Sequence, residues 1–280
     1  IHVFSDELNH ASLIEGIQNS KASYSVFRHN NLNHLEEQLQ TLEYDHPKII
    51  IFESLYSMDG TETNISDYVK LAKKYNALTY LDEVHAVGLY GEGGRGIAYK
   101  NGVSSQVDII NGTLAKGFGQ IGGYIVGDEN LIEFIRCFTA GFIFTTSLMP
   151  SIAAATKKSI DIVEKSDDLR KDIFSKANYF RAKLRKTVIP FIDSKSHIIP
   201  ILVYDTERAK LYSEILLKDH NCYVQPIFYP TVPKGSARLR ITITPKHSNE
   251  DIDNLISVLN KIWLRENKNF HQNLAKSICL

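Results

Sequence analysis

The stretch Leu78-Thr-Tyr-Leu-Asp-Glu-Val-His85 decides the fold. Leu78–Leu81 is apolar along its length rather than at every second residue, the pattern of a strand covered on both faces. It ends abruptly on Asp82, Glu83 and His85. Working outward, Ile49–Phe52, Val107–Ile110 and Tyr124–Val126 have the same character and read as further buried parallel strands. Between the first two lies a helical pattern, with Ile65, Tyr68, Val69, Ala72 and Tyr75 on one face. Asn64 and Asp67 form its candidate cap. Strand, helix and strand at this spacing make a βαβ unit, so the first half reads as an α/β domain on a mostly parallel sheet.

Met149-Pro150 opens a helical stretch over roughly 151–187. Beyond it the pattern changes: His197–Val203 and Ala237–Thr244 read as strands, Leu211–Lys218 and Glu250–Trp263 as helices. The expected organisation is a large domain over 1–150, a connecting helical stretch over 151–190 and a smaller α+β domain over 191–280. The chain has 280 residues and a formal net charge of zero, which offers no field for nucleic acid or an anionic membrane. Its cysteines, Cys137, Cys222 and Cys279, lie far apart with no CxxC pair. That argues against a disulfide framework or zinc cage and for a reducing compartment, bacterial cytoplasm or mitochondrial matrix. No apolar run approaches the ~20 residues of a membrane span. The opening Ile1-His-Val-Phe4 reads as a strand, which predicts preceding sequence.

Ligands of open parallel sheets bind at the carboxyl ends of the strands. Three strands deliver chemistry there: Ser57 within Ser54-Leu-Tyr-Ser-Met-Asp-Gly60, Asp82 with His85, and Lys116 within Asn111-Gly-Thr-Leu-Ala-Lys-Gly-Phe-Gly119. An amine and an acid at one sheet edge suit pyridoxal 5'-phosphate. That cofactor condenses with an amine through its aldehyde and needs a carboxylate beside its pyridine nitrogen to act as an electron sink. Thr113 is a candidate for the phosphate, and glycines beside Lys116 let backbone approach the ring. Each element alone has a plainer reading: a solvated lysine, a metal or hydrogen-bonded pair at Asp82 and His85, a turn at Ser57. Gly91-x-Gly93-x-x-Gly96 matches the dinucleotide fingerprint but does not follow a buried strand, and reads as a loop. Arg238 and Arg240 alternate on a strand, one to face solvent and the other to fork a substrate carboxylate. His10 either caps the helix after the first strand or lies flat against a cofactor ring.

Five ordered strings resemble the α-oxoamine synthases, fold-type I enzymes that use pyridoxal phosphate: Ser5-Asp-Glu-Leu-Asn-His-Ala-Ser12, Tyr56-Ser-Met-Asp-Gly60, Leu81-Asp-Glu-Val-His-Ala-Val-Gly88, Gly112-Thr-Leu-Ala-Lys-Gly-Phe-Gly119 and Phe142-Ile-Phe-Thr-Thr-Ser147. Within that family, Phe52–Gly60, Gly141–Leu148, Ser196–Pro200, Tyr223–Ile227 and Tyr229–Pro233 are most similar to the branch that condenses glycine with succinyl-CoA. Its products are 5-aminolevulinate, coenzyme A and carbon dioxide, at the start of one route to haem and other tetrapyrroles. The resemblance implies that Lys116 holds the cofactor and moves the glycine α-proton, while Asp82 pairs with the ring nitrogen. His85 would bond the phenolic oxygen with Ser57 nearby, and His10 would stack on the ring. Thr113 would bind phosphate, with Thr145 and Thr146 from the partner in a homodimer. Arg240 would hold the glycine carboxylate and Thr231 the succinyl carboxylate. Ala237-Arg-Leu-Arg240 looks more like the sister activities, 2-amino-3-ketobutyrate coenzyme A ligase and 8-amino-7-oxononanoate synthase. The family has a substantial segment before the position of Ser5, so a truncated, non-catalytic remnant is the rival reading.

Overall fold

A computed structural model describes residues 1–278, with side chains through Arg265. The chain forms two compact units, residues 1–56 with 62–170, and residues 57–61 with 171–280. The helical stretch 151–190 is therefore divided between them, and the short segment Ser57–Thr61 belongs with the second.

The first unit is built on a six-stranded sheet of order β2-β1-β3-β4-β5-β6. Its strands are β1 (His2–Asp6), β2 (Ser23–Phe27), β3 (Lys48–Glu53), β4 (Ala77–Asp82), β5 (Ile109–Thr113) and β6 (Gly123–Gly127). The pairings from β2 through β5 are parallel. Helices α1 (Ala11–Asn19), α2 (Leu32–Leu39) and α3 (Ile65–Lys74) connect the first four strands. The apolar stripe read on α3 is the face it buries, through Ile65, Tyr68, Val69 and Ala72. Tyr68 stacks on Phe52 of β3 with ring centroids 4.4 Å apart. Fully buried side chains such as Phe52, Ile50 and Leu81 contribute about 1.5–3 kcal/mol each to this core. The expected cap of α3 takes another form: Asn64 makes no side-chain bond to the helix backbone, and its amide donates to Asp67 Oδ2 at 2.6 Å instead.

β6 departs from expectation. It runs antiparallel to β5, and its side chains are mostly exposed. Only Leu114–Gly122 separates the two strands, too little chain for the crossover that a parallel pairing demands. After β6 come α5 (Glu129–Phe138) and α6 (Ala140–Ile143).

The single helix expected over 151–187 is two, α7 (Pro150–Glu164) and α8 (Asp167–Leu184). Arg170 divides them. Its buried guanidinium donates to the Val163 and Glu164 carbonyls at the end of α7 and to the Asp167 carboxylate. It thus satisfies carbonyls that a helix end leaves unpaired.

In the second unit β7 (Ile198–Tyr204), β9 (Ala237–Thr242) and β8 (Gln225–Ile227) form an antiparallel sheet of order β7-β9-β8. α9 (Thr206–His220), α10 (Asn249–Ile278) and the second part of α8 complete it. Phe180, Leu184, Ile199, Ile201, Leu239 and Leu259 form the centre of its core. Among the described residues no helix is long and apolar enough to cross a membrane.

Candidate active site

In the first unit the strand order reverses between β1 and β3, the place where open α/β sheets bind ligands at their carboxyl edge. Four neighbouring strands end there on polar groups. β1 is followed by Asn9 and His10, β3 ends on Glu53, β4 ends on Asp82, and β5 ends on Thr113 three residues before Lys116. The covered part of a strand has no room for charge, so the charge collects where the strand stops.

Asp82 is 5% exposed. Its Oδ1 accepts the Val84 N–H at 2.7 Å and its Oδ2 accepts the Asn111 amide at 3.1 Å. Burial raises its pKa, against the pull of those two donors and of the nearby Lys116 and His10. Glu53 is the register neighbour of Asp82 across β3 and β4 and is 3% exposed. Burial first, then the charges of Asp82 and Asp6, push it up to about 8, while the His10 N–H and Lys116 oppose the rise.

His10 caps α1. Its ring Nδ1 accepts the Ser12 N–H at 3.3 Å and lies 2.8 Å from Ser12 Oγ, while its own backbone N–H donates to Glu53 Oε1 at 2.5 Å. Lys116 is exposed on the turn after β5, which closes by Gly119 N–H to Lys116 O at 3.0 Å. Thr113 Oγ1 donates to Gly122 O at 3.2 Å and accepts the Ala115 N–H at 3.1 Å. His85 is half-buried in the turn after β4. Backbone packing ties that turn to the Lys116 loop: a Cβ on Gly117 would meet Val87 O at 2.7 Å and Gly88 Cα at 3.1 Å.

The glycine-rich stretch 91–96 is a loop, as its context suggests. Gly91, Gly93 and Gly96 all have positive φ. Their turn delivers the N–H groups of Ile97 and Ala98, at the start of the short helix α4 (Ile97–Lys100), to Glu83 at 2.9 and 2.6 Å. Glu83, 1% exposed, is thereby spent on structure. A Cβ at Gly96 would lie 2.6 Å from its Oε2.

Ser57, Thr231, Arg238 and Arg240 belong to the second unit. The expectation that Arg238 and Arg240 divide between solvent and cleft fails, because residues two apart on a strand share a face. Arg238 is 8% exposed and donates to Met58 O at 3.0 Å, and Arg240 donates to Ser57 O at 3.5 Å. His197, buried beside Arg240 and Arg181, has its imidazole pKa pushed down to about 4, chiefly by burial. Thr231 is exposed on a turn. Thr145 and Thr146 are exposed in a run that also exposes Phe142, Phe144, Leu148 and Met149.

Sequence reasoning missed Glu53 and Asn111. Glu53 carries the signal that marks Asp82, an acid closing a buried strand, and stands inside the longer motif Phe52–Gly60. Asn111 became visible as a partner of Asp82 only through the pairing of β4 with β5.

The donor set fits pyridoxal phosphate. A buried carboxylate with lone pairs left beyond its two bonds lies within electrostatic range of an amine and an imidazole, and a glycine contact draws the amine's loop against the histidine turn. Residues 2–259 match the family described as Aminotransferase class I and II. The chain belongs to that family. It is 49% identical over 263 residues to the 5-aminolevulinate synthase of Rhizobium meliloti (strain 1021), covering 94% of this chain and 65% of that protein. It is 48% identical over 260 residues to the enzyme of the same name from Rickettsia bellii (strain RML369-C), covering 93% of this chain and 63% of the relative. The chain thus spans a little under two thirds of the length of these relatives. The fold matches a serine palmitoyltransferase from S. paucimobilis, whose structure has bound PLP and myriocin, with a TM-score of 0.88 at 29% identity over 93% of this chain and 66% of that one. It also matches the 8-amino-7-oxononanoate synthase of Francisella tularensis, with a TM-score of 0.82 at 25% identity over 95% of this chain and 76% of that one.

Proposed function

We propose that the chain is the greater part of a 5-aminolevulinate synthase, which uses pyridoxal phosphate to condense glycine with succinyl-CoA into 5-aminolevulinate, coenzyme A and carbon dioxide. The observation that carries this reading is the gathering of His10, Asp82 and Lys116 at the carboxyl edge of the sheet, where the strand order reverses. Identity of 48–49% to synthases of that name supports the substrate pair.

Pyridoxal phosphate, when bound, supplies an aldehyde for a primary amine and a ring that takes up the electron pair left when a bond at the glycine α-carbon breaks. Lys116 carries the amine for that aldehyde, and its Nζ, once free, takes the proton from the glycine α-carbon. Asp82 would hold a proton on the ring nitrogen. A carboxylate at the closed end of the sheet does this better than an exposed one, because the water that would screen it is excluded. Asn111 and the Val84 N–H hold that carboxylate in one orientation. His10, with Ser12 bonded to its ring Nδ1, would pack on the ring, and His85, with Ser57, would bond the phenolic oxygen. Thr113 would bind the phosphate. Arg240 binds the glycine carboxylate and Thr231 the succinyl carboxylate. Thr145 and Thr146 serve the site of a second copy, and the exposed apolar run around them supports a homodimer. A reducing compartment, bacterial cytoplasm or mitochondrial matrix, accords with this role.

The test begins with the visible absorption spectrum of the chain with pyridoxal phosphate, beside Lys116→Ala. A dialysis-resistant band that shifts with glycine and is lost in the variant is expected. Its absence in the unmodified chain would overturn the cofactor site. Rates with succinyl-CoA, acetyl-CoA and pimeloyl thioesters, each with glycine or alanine, then test the substrates. A best pair other than glycine with succinyl-CoA would transfer the reading to a sister synthase.

A further inference from the structure

The contact between Glu53 and His10 spans the reversal in strand order, joining the end of β3 to the residue that starts α1, and none of the chemistry proposed above uses it. Two anchors hold His10. Ser12 fixes the ring, and Glu53 Oε1 fixes the main chain by accepting its N–H at 2.5 Å. The first turn of α1 hangs from the same residue, because the N–H groups of Leu13 and Ile14 donate to His10 O at 2.9 and 3.2 Å. A displacement of the His10 peptide therefore moves ring and helix start together.

We infer that Glu53 is a positioning residue, which holds the His10 main chain and through it sets the place of the imidazole beside Asp82. The groups that bear on Glu53 come from several neighbouring elements: Asp6 from β1, His10 before α1, Tyr56 after β3, Asp82 from β4 and Lys116 after β5. The charge of one buried carboxyl group disfavours ionisation of another close by. Asp82 has an N–H on each oxygen and Lys116 and His10 nearby, and all of these oppose the rise that burial gives its pKa. Glu53, pushed up to about 8, is then a neutral carboxyl at pH 7 and uses an oxygen as a simple acceptor. The residue thus supplies a second acceptor at the sheet edge without a second negative charge beside Asp82. It acts through His10 and has no step of its own.

An acceptor role separates two variants of similar size. Glu53→Gln keeps a carbonyl acceptor and has no charge at any pH, whereas Glu53→Leu removes the acceptor. Leaving a buried N–H unpaired corresponds to roughly a 10- to 100-fold change in an equilibrium constant. The first measurement is hydrogen exchange in peptides spanning residues 8–14, on the chain without cofactor. Glu53→Leu is expected to speed exchange there about tenfold or more, with Glu53→Gln within about threefold of the unmodified chain. The second is pyridoxal phosphate affinity, read by absorption, with the visible circular dichroism of the bound cofactor. Loss of about tenfold in affinity and an altered dichroic band are expected for Leu, with rescue of both by Gln. A merely structural defect leaves the dichroic band of the cofactor that still binds unchanged. The consequence for the cofactor rests on the function proposed above, but the exchange measurement does not. If the unmodified chain takes up no pyridoxal phosphate, the cofactor reading fails while exchange alone still decides the role of Glu53. Exchange near His10 that is unchanged in Glu53→Leu, or equally fast in Gln and Leu, overturns the inference. Should Leu prevent folding, Glu53→Asp, one methylene short of the contact, takes its place in both comparisons.

Discussion

Replacing Glu53 with glutamine should stabilise the chain, by an amount that grows with pH. The carboxyl is 3% exposed and shares its strand end with Asp82, and its pKa rises from 4.5 in the unfolded chain to about 8 when folded. A raised carboxyl pKa means that the folded state holds the proton more tightly. The folded chain is therefore favoured most below pH 4.5, loses stability as pH rises from there to about 8, and loses no more above it. At ~1.4 kcal/mol for each pH unit, the loss amounts to about 3 kcal/mol at pH 7 and about 5 kcal/mol above pH 8. Glutamine pays none of this and keeps the acceptor for His10. Urea unfolding of both proteins, followed by far-ultraviolet circular dichroism at pH 5, 6, 7 and 8, measures the difference. The two should nearly coincide at pH 5 and diverge steadily to pH 8. A constant offset across that range would refute the reasoning, because it would mean that Glu53 is already ionised in the folded state. Lys116→Ala sharpens the test: it removes a cation that holds the Glu53 pKa down, so the pH-dependent limb should extend further upward.

At the acid end, His197 should dominate within the second unit. Its pKa is lowered to about 4, so its contribution is intact above pH 6.5 and lost as pH falls toward 4, amounting to about 2 kcal/mol at pH 5. In denaturant titrations, His197→Asn should flatten that limb whatever its offset at neutral pH. Glu83→Ala should cost about 2–5 kcal/mol, because it strands the buried N–H groups of Ile97 and Ala98. Gly96→Ala should also destabilise, through its 2.6 Å approach to the Glu83 carboxylate, and thermal unfolding reads both losses. Phe138 and Phe144 are 71% and 86% exposed, and their joint replacement by Asp should convert a dimer to monomer in light scattering. A dimer unaffected by the pair would remove this surface from the proposed interface.

The polar groups at the sheet edge were legible because the covered part of a strand excludes charge, which collects where the strand stops. Leu78–Leu81 marked β4, although only Thr79 and Leu81 of that run are buried and Leu78 is 39% exposed, and Asp82 marked its end. Lys116 declared itself in the same way after β5. The helical face of α3 was equally plain, since its stripe of Ile65, Tyr68, Val69 and Ala72 is the face it buries. The direction of β6 was also within reach, because the nine residues Leu114–Gly122 that separate it from β5 forbid a crossover. The common face of Arg238 and Arg240 followed from strand periodicity alone.

What the linear chain did not disclose is which strand lies beside which. Its own order places β2 between β1 and β3, yet in the sheet β1 lies between β2 and β3. That exchange brings His10 to Glu53 across 43 residues of chain, and the pairing of β3 with β4 brings Glu53 to Asp82 across 29. Residue types determined that acids, an imidazole and an amine end the strands, because transfer free energy depends on the side chain itself. Tertiary structure decided which acid keeps its proton and which histidine is held, because burial and Coulomb energy depend on distance through space.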